Sequence, residues 1–207
     1  MGSAHSLAIV HPMPTPRTTS TPLHIAALSG SPSARSRSTA LLQLALMSLE
    51  SEAASQHLIA VRELPAVALV SADVQEPEIR AAADAIARAD LVIVATPIYK
   101  AAYSGLLKTF LDLLPQDALR GKTVLPLATG GSAAHLLALD YTLKPVLAAL
   151  GARHVLDGVF ATDAQLQAHE TGYVPDPALL ERLDRALQGL AEDAPRCRPV
   201  RAASLAR

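Results

Sequence analysis

Residues 91–115 read LVIVATPIYKAAYSGLLKTFLDLLP, and this stretch decides the fold. The apolar run at 91–95 is typical of a strand that is buried on both faces of a parallel sheet. Pro97 then removes a backbone donor and turns the chain off the strand, which leaves Tyr99 near the edge of the sheet. Apolar residues continue at helical spacing until Pro115, so the pattern predicts a helix over 104–114.

This predicted helix is apolar almost all round. Its apolar side chains are Leu106, Leu107, Phe110, Leu111 and Leu114. A helix of this kind needs burial on more than one side, so we expect it either in the core or at a subunit contact.

The same alternation of strand and helix runs along the whole chain. Short apolar runs predict strands at 24–28, 57–61, 91–95, 123–128 and 154–160. The stretches between them predict helices at about 38–55, 76–89, 104–114, 133–150 and 177–192. Such alternation predicts an α/β fold, a parallel sheet with helices on both faces. Five strands are too few for an eight-stranded barrel, so we expect the flavodoxin-like doubly wound order 2-1-3-4-5.

Composition narrows the possible partners. The chain has 207 residues, of which 50% are hydrophobic, and its 18 basic and 19 acidic residues nearly cancel. No overall field therefore favours nucleic acid or an anionic membrane, and no apolar run is long enough to span one. The single cysteine, Cys197, excludes an intramolecular disulfide framework or a cysteine-rich metal site, and it suits a reducing cytoplasm. We expect one domain over 23–193 between flexible, proline-broken extensions at 1–22 and 194–207.

The loop after the first strand, LSGSPSARSRST at 28–39, has the chemistry of a phosphate site. Hydroxyls, backbone amides and the positive end of the next helix favour a bound phosphate, and arginine adds bidentate hydrogen bonds. The chain lacks both GxGxxG and GxxxxGK[ST], so a mononucleotide phosphate is what remains. The alternative is a serine-rich loop in which Ser36 or Ser38 is an ordinary N-cap.

Two further loops leave the same predicted edge of the sheet. In the loop after strand three, Tyr99 can stack on a planar ligand, Gly105 lets the backbone come close, and Ser104 can cap the helix. In the loop after strand four, ATGGSAAH at 128–135, two successive glycines offer free backbone amides to ring carbonyls and nitrogens. The alternative there is a plain turn with Ser132 as N-cap and His135 on the surface.

Together, GSPSARSRS, ATPIYKAAYSGLLKTFLDLLP and KTVLPLATGGSAAHLLALDYTLKPVL resemble the NAD(P)H-dependent FMN reductases of flavodoxin-like fold. The likeness extends over about residues 23–165, and it is greatest to the reductases of two-component alkanesulfonate monooxygenase systems. It implies two nucleotide ligands, FMN and NADPH or NADH. It also implies that three groups of residues bind FMN, one at its phosphate and one on each side of its ring: Ser31, Arg37, Ser38 and Thr39; Pro97, Ile98, Tyr99 and Lys100; and Thr129, Gly130, Gly131 and Ser132. Where many relatives carry an arginine this chain has Ser33, so either Arg35 or Arg37 can supply the charge.

A second mark of the subgroup lies in HLLALDYTLKPVL at 135–147. Relatives carry an inserted tyrosine there, associated with a π-type bulge at a tetramer interface, and Tyr141 occupies the matching position. Pro145 supports this independently, since it has no N–H for the carbonyl of residue 141 and its ring crowds that carbonyl. A helix through this segment must therefore kink or widen near Tyr141. The alternative is that Tyr141 merely packs in a kinked helix.

The resemblance implies an enzyme that transfers hydride from NAD(P)H to FMN and supplies FMNH2 to a partner monooxygenase. It also implies a homo-oligomer, a dimer or tetramer, in which Tyr141 favours flavin release. No catalytic acid or base is required for hydride transfer, and no metal is expected. Two alternatives remain open: a reductase of quinones, azo dyes or chromate that retains FMN, and a non-enzymatic FMN electron carrier.

Overall fold

A computed structural model describes residues 22–170 and 172–193. Its strands are β1 (Leu23–Ser29), β2 (Ala53–Ala60), β3 (Leu91–Tyr99), β4 (Ala102–Tyr103), β5 (Thr123–Gly130), β6 (His154–Val155), β7 (Val159–Thr162), β8 (Leu166–His169) and β9 (Gly172–Pro175). Its α-helices are α1 (Arg37–Ser48), α2 (Ala66–Ser71), α3 (Pro77–Arg88), α4 (Gly105–Leu111), α5 (Lys144–Ala149) and α6 (Pro177–Asp193). Short 3-10 turns lie at Glu50–Glu52, Val61–Glu63 and Ala133–His135, and a π-helix lies at Leu139–Leu143. Of the extensions predicted to be flexible, all but Pro22 lie outside the described residues, as does Cys197.

The main sheet confirms the predicted topology. Its order is β2-β1-β3-β5-β6, and β7 also pairs with β5 beyond β6. These pairings are all parallel, so the five predicted strands have the order 2-1-3-4-5. β4 forms a short antiparallel hairpin with β3, and β8 and β9 form a separate antiparallel pair.

Helices cover both faces of the sheet, as the alternation predicts. Because successive side chains of a strand point to opposite faces, Val92 and Val94 of β3 pack on one side, and Leu91 and Ile93 pack on the other. Helices α3, α4 and α5 and the π-helix cover the first side, and α1 and α6 cover the second. Leu107, Phe110 and Leu111 of α4 are buried in this core, and the half-buried Leu106 packs against it.

The boundaries around β2 differ from the prediction. The first helix ends at Ser48, not near 55, and β2 begins at Ala53, not at residue 57. The side-chain amide of Gln56 donates to the Leu46 carbonyl at 2.9 Å and so helps to close the end of α1. Most of β2 is exposed or half-buried, and residues 53–56 lie before the apolar run at 57–61 that was used for the prediction.

Other parts of the fold were not predicted, including the β3–β4 hairpin. Helix α2 is a single short element between β2 and α3. The strand predicted at 154–160 is divided into β6 and β7 around Gly158, where a Cβ would lie 3.1 Å from Leu139 Cδ1 and 3.2 Å from the Pro126 carbonyl oxygen. The β8–β9 hairpin has strands of four residues, too short for a clear periodic signal.

Lys122 closes the end of α3. Its Nζ donates to the carbonyls of Ala87 and Ala89, both at 2.7 Å. Burial lowers the pKa of Lys122, and the Asp90 carboxylate opposes this shift. We expect Lys122→Ala to lower the free energy of unfolding by about 1 to 2 kcal/mol, because the last carbonyls of the helix lose a charged donor. Urea denaturation measures this loss, and an unchanged midpoint would contradict the capping role.

Candidate functional site

Three loops meet at the carboxyl edge of the main sheet. Parallel pairing sets Ser29 beside Ala95 and Pro97 beside Thr129, so β1, β3 and β5 end close together. The loops enclose a cavity of about 240 Å³. It is lined by Ser31, Ser33, Arg35, Ser36, Arg37, Pro97, Ile98, Tyr99, Thr129, Gly130, Gly131, Asp163 and Tyr173.

The first loop ends at the N-terminus of α1. The Ser31 hydroxyl accepts a hydrogen bond from the Ser33 amide at 3.2 Å. Ser36 is the N-cap, because its side chain accepts from the Thr39 amide at 3.2 Å. The alternative that Ser36 is an ordinary N-cap is therefore confirmed. Capping is compatible with the predicted phosphate site, since the first amides of any helix lack partners within the helix and face its N-terminal end.

Ser38 and Thr39 brace this loop and do not line the cavity. Ser38 is fully buried, and its hydroxyl lies 3.0 Å from that of Ser36. The Thr39 hydroxyl lies 2.8 Å from that of Ser29, the last residue of β1. Both side chains thus fix the path of the loop between strand and helix.

Arg35 and Arg37 are both held by the chain segment that follows β7. Their guanidinium carbons lie 5.9 and 5.5 Å from the centre of the Tyr173 ring, within the range of a cation–π contact. Arg37 Nε donates to the Leu166 carbonyl at 3.0 Å, and Arg37 Nη1 lies 3.4 Å from Asp163 Oδ2. Arg35 Nη2 donates to the His169 carbonyl. Two positive charges are therefore fixed at one wall of the cavity.

The second loop follows β3, which continues further than predicted. Pro97 does not end the strand: β3 runs to Tyr99, and Pro97 is paired with Thr129 of β5. The pairing of β3 with β1 ends at Ala95 and its pairing with β4 begins at Ile98, so Pro97 is paired only with β5 and its missing N–H costs no bond to β1 or β4.

A tight turn then reverses the chain into β4. Lys100 and Ala101 have φ of 50° and 64°, the left-handed region that is rare for residues other than glycine. Lys100 lies at this turn and does not line the cavity, whereas Tyr99 does, with 49% of its surface exposed.

The start of α4 is fastened to the first loop. Ser104 is the N-cap of α4, as predicted, and its hydroxyl donates to the Gly30 carbonyl. The Gly30 amide donates to the Ala95 carbonyl at 2.8 Å. A Cβ at Gly30 would lie 2.6 Å from Leu107 Cβ, whereas a Cβ at Gly105 has no described heavy atom within 4 Å. The glycine that permits close approach of the first loop to α4 is therefore Gly30, and the approach of a ligand to Gly105 stays a prediction.

The third loop follows β5. Thr129 is buried, and a Cβ at Gly130 would lie 3.0 Å from Phe160 Cζ, so the ring of Phe160 supports the loop from below. Ser132 lies outside the cavity and accepts from the Ala134 amide at 3.2 Å, which is the capping role named as the alternative.

Most predicted site residues thus line one cavity: Ser31, Arg37, Pro97, Ile98, Tyr99, Thr129, Gly130 and Gly131. Ser38, Thr39, Lys100 and Ser132 lie in the same three loops without lining it. Sequence reasoning missed Asp163 and Tyr173. A weak sequence signal for the hairpin was Gly172 just before Tyr173, in a segment where no strand was predicted.

Tyr141 lies in a π-helix, so the predicted widening near this residue is confirmed. The π-helix covers Leu139–Leu143, and α5 begins immediately after it with Pro145 in its first turn. Leu139 and Leu143 are buried, whereas Tyr141 is 76% exposed.

The donor set of the cavity suits a phosphorylated ligand. Two guanidinium groups, the Ser31 hydroxyl and the first amides of α1 can all donate to phosphate oxygens. Residues 97–99 and 129–131 line the same cavity, where the resemblance predicts the flavin ring. Within 22–170 and 172–193 there is no group of three or more acidic, histidine or cysteine residues that could hold a metal. In the same ranges, no helix has the length and apolar character required to cross a membrane.

The fold is that of a flavodoxin-like α/β protein, with a cavity at the carboxyl edge of its sheet. A solved flavodoxin from Streptococcus pneumonia TIGR4 has this fold, with a TM-score of 0.56 at 15% identity over 82% of this chain and 97% of its own. The sequence profile of the NADPH-dependent FMN reductases matches residues 23–167. The chain belongs to this family, and the resemblance recognised in its sequence is confirmed.

Individual proteins similar to this chain are also named as FMN reductases. An FMN reductase (NADPH) of Pseudomonas putida KT2440 is 47% identical over 167 residues, which are 79% of this chain and 84% of the relative. The NADH-dependent FMN reductase SfnF of Pseudomonas putida is 32% identical over 80% of this chain and 89% of its own. The solved apo form of an NADH:FMN oxidoreductase (EMOB) has a TM-score of 0.74 at 43% identity, over 82% of this chain and 88% of that one.

Proposed function

We propose that this protein reduces FMN with NADPH or NADH and releases the reduced flavin. The observation that carries the proposal is the convergence of three loops on one cavity in a member of the FMN reductase family. The relatives named above include reductases described as using NADPH and as using NADH, so both nucleotides are candidates here.

The proposed roles follow from the positions of the side chains. Ser31, Arg37 and the first amides of α1, including that of Ser38, hold the phosphate. Thr39 keeps the loop in place through its contact with Ser29. Pro97 to Tyr99 line one side of the ring with Lys100 at the turn beyond them, and Thr129 to Gly131 line the other side with Ser132 beyond.

The flavin, when bound, supplies the redox chemistry by accepting hydride from nicotinamide C4 at its N5. The protein contributes position, because hydride transfer requires an approach of about 3 to 3.5 Å. Half-exposed Tyr99 puts this wall of the cavity next to solvent, which leaves a route for the nicotinamide ring. No side chain is needed as an acid or base.

We further propose that the reduced flavin passes to a partner monooxygenase of the alkanesulfonate type, and that the protein acts in the cytoplasm as a homo-oligomer. Support for an oligomer comes from apolar surface around the π-helix. Leu136, Leu137 and Tyr141 are 48%, 58% and 76% exposed, a local group of large apolar side chains without cover in the described chain.

The decisive experiment is steady-state oxidation of NADPH and NADH with FMN, FAD or riboflavin as acceptor. We expect rapid turnover with FMN and a clearly higher KM for riboflavin, which lacks the phosphate. Failure to oxidise either nucleotide in the presence of FMN would refute the reductase. Equal KM values for FMN and riboflavin would refute the phosphate site.

Tyr141 provides a test of flavin release. We expect deletion of Tyr141, or Tyr141→Ala, to yield protein that purifies yellow with bound FMN and has reduced turnover. The physical reason is that deletion shortens and relaxes the π-helix, and that both changes remove the exposed Tyr141 ring from the proposed subunit contact. Visible absorbance of the purified protein and sedimentation velocity measure both effects. Tyr141→Phe keeps the ring and is the control; a colourless, fully active deletion variant would contradict the role.

A further inference from the structure

Asp163 places a negative charge inside the proposed phosphate site. It follows β7 directly, and the last pair of that strand, Thr162 with Gly130, sets Asp163 at the height of the glycine loop. Asp163 lines the same cavity as Ser31, and its Oδ2 lies 3.4 Å from Arg37 Nη1. The arginine proposed to hold the phosphate is therefore already paired with a carboxylate.

Arg37 does not depend on Asp163 for its position. Its Nε donates to the Leu166 carbonyl at 3.0 Å, and its guanidinium lies over the Tyr173 ring at 5.5 Å. These two contacts fix the plane and the location of the group without Asp163. What remains for the carboxylate is its charge, which opposes any other anion that approaches Arg37.

We propose that Asp163 is an internal competitor for Arg37 and weakens the binding of a phosphate monoester in this cavity. This inference rests on the proposed function, because it concerns the phosphate of the flavin substrate. A dianionic phosphate that reaches Arg37 must either separate it from Asp163 or bind beside the carboxylate. Both events cost free energy, and neither affects a flavin without a phosphate. Asp163 thereby makes FMN a dissociable substrate.

The size of the effect follows from exposure. The side chains of Arg37 and Asp163 are 31% and 50% exposed, so water and salt screen the interaction in part. We expect Asp163→Asn to lower the Kd and the KM for FMN by about threefold to tenfold at low ionic strength. Riboflavin should be bound as by the wild type, and the gain for FMN should shrink in high salt.

The experiment compares FMN with riboflavin by two measurements. Quenching of flavin fluorescence gives the Kd of each flavin, and steady-state kinetics give its KM. Asp157→Asn is the matched control, because it removes the same charge from an exposed residue that does not line this cavity. Asp163→Glu keeps the charge and should not reproduce the gain. Tighter binding of FMN alone in Asp163→Asn supports the competitor. Weaker or unchanged FMN binding, or an equal gain for riboflavin, overturns it.

Failure of the phosphate site itself is recognisable in the wild type. If the wild-type protein binds FMN and riboflavin equally, and inorganic phosphate does not compete with FMN, both the proposed phosphate site and this inference are wrong. If the wild type prefers FMN but Asp163→Asn behaves like Asp157→Asn, only the role of Asp163 is wrong.

Discussion

Gly30→Ala is expected to lower the free energy of unfolding by about 2 to 3 kcal/mol and to abolish most FMN reduction. The new Cβ would lie 2.6 Å from Leu107 Cβ and 3.1 Å from Leu107 Cγ. Leu107 is fully buried, and its Cβ is attached directly to the backbone of α4, so rotation of the side chain cannot remove the clash. The helix or the first loop must move.

Either movement would disturb the cavity. The first loop and α4 are joined by the hydrogen bond from Ser104 to the Gly30 carbonyl, and Ser104 also caps the helix through the Leu107 amide at 3.1 Å. The Ser104 amide in turn donates to Thr96 Oγ1 at 3.0 Å, just before the Pro97 to Tyr99 wall. Strain at Gly30 therefore reaches two of the three loops, and activity should fall more than stability alone explains.

Urea denaturation and steady-state kinetics measure the two effects separately. Gly105→Ala is the matched control, because its Cβ would have no described heavy atom within 4 Å and alanine is the better helix former. It should be neutral or slightly stabilising. If the Gly30→Ala protein is as stable and active as Gly105→Ala, α4 moves without a cost in free energy. That result would contradict the role assigned to the contact between Gly30 and Leu107.

Arg37→Ala is expected to raise the KM for FMN by about 10- to 100-fold and to leave the KM for riboflavin nearly unchanged. A charged hydrogen bond to phosphate contributes roughly 1.5 to 3 kcal/mol, which gives this range. Arg35→Ala should have a smaller effect, because Arg35 is exposed, whereas Arg37 is half-buried at the start of α1 and is less screened by water.

Steady-state KM values for FMN and riboflavin test whether Arg37→Ala has a larger effect than Arg35→Ala. Arg62→Ala is the control, since Arg62 is a cation whose ion-pair partner is its neighbour Glu63 and it does not line the cavity. A larger effect of Arg35→Ala would assign the phosphate to the other arginine. Equal increases in the KM for FMN and for riboflavin would mean that Arg37 maintains the shape of the site and does not bind the phosphate.

The order of the sheet was predictable because its central strands carry the strongest sequence signal. β1, β3 and β5 are buried on both faces and appear as continuous apolar runs, whose alternation with helices permits few topologies. The exposed edge strand β2 and the divided β6–β7 segment carry weaker signals, and their boundaries were misplaced. Tertiary pairing, which the local sequence does not encode, decides where such strands begin.

The site was predictable to the same extent and for a related reason. Loops after neighbouring parallel strands must meet at one edge, so Ser31, Tyr99 and Gly130 were brought together by topology alone. The hairpin that holds the arginines was not predictable, since Arg37 and Leu166 are 129 positions apart. Gly30 was overlooked for a similar reason: its only unusual property is the distance to a helix that begins at residue 105.

The π-helix at Leu139–Leu143 has a consequence for how such proteins diverge. Leu139, Leu143 and Leu147 all remain buried across the wide turn, so an additional residue is taken up locally and the α-helix after it keeps its core face. A gain or loss of one codon at this point can therefore remodel an exposed surface while the hydrophobic interior is preserved. Length variation here is a short evolutionary step between proteins that share one scaffold.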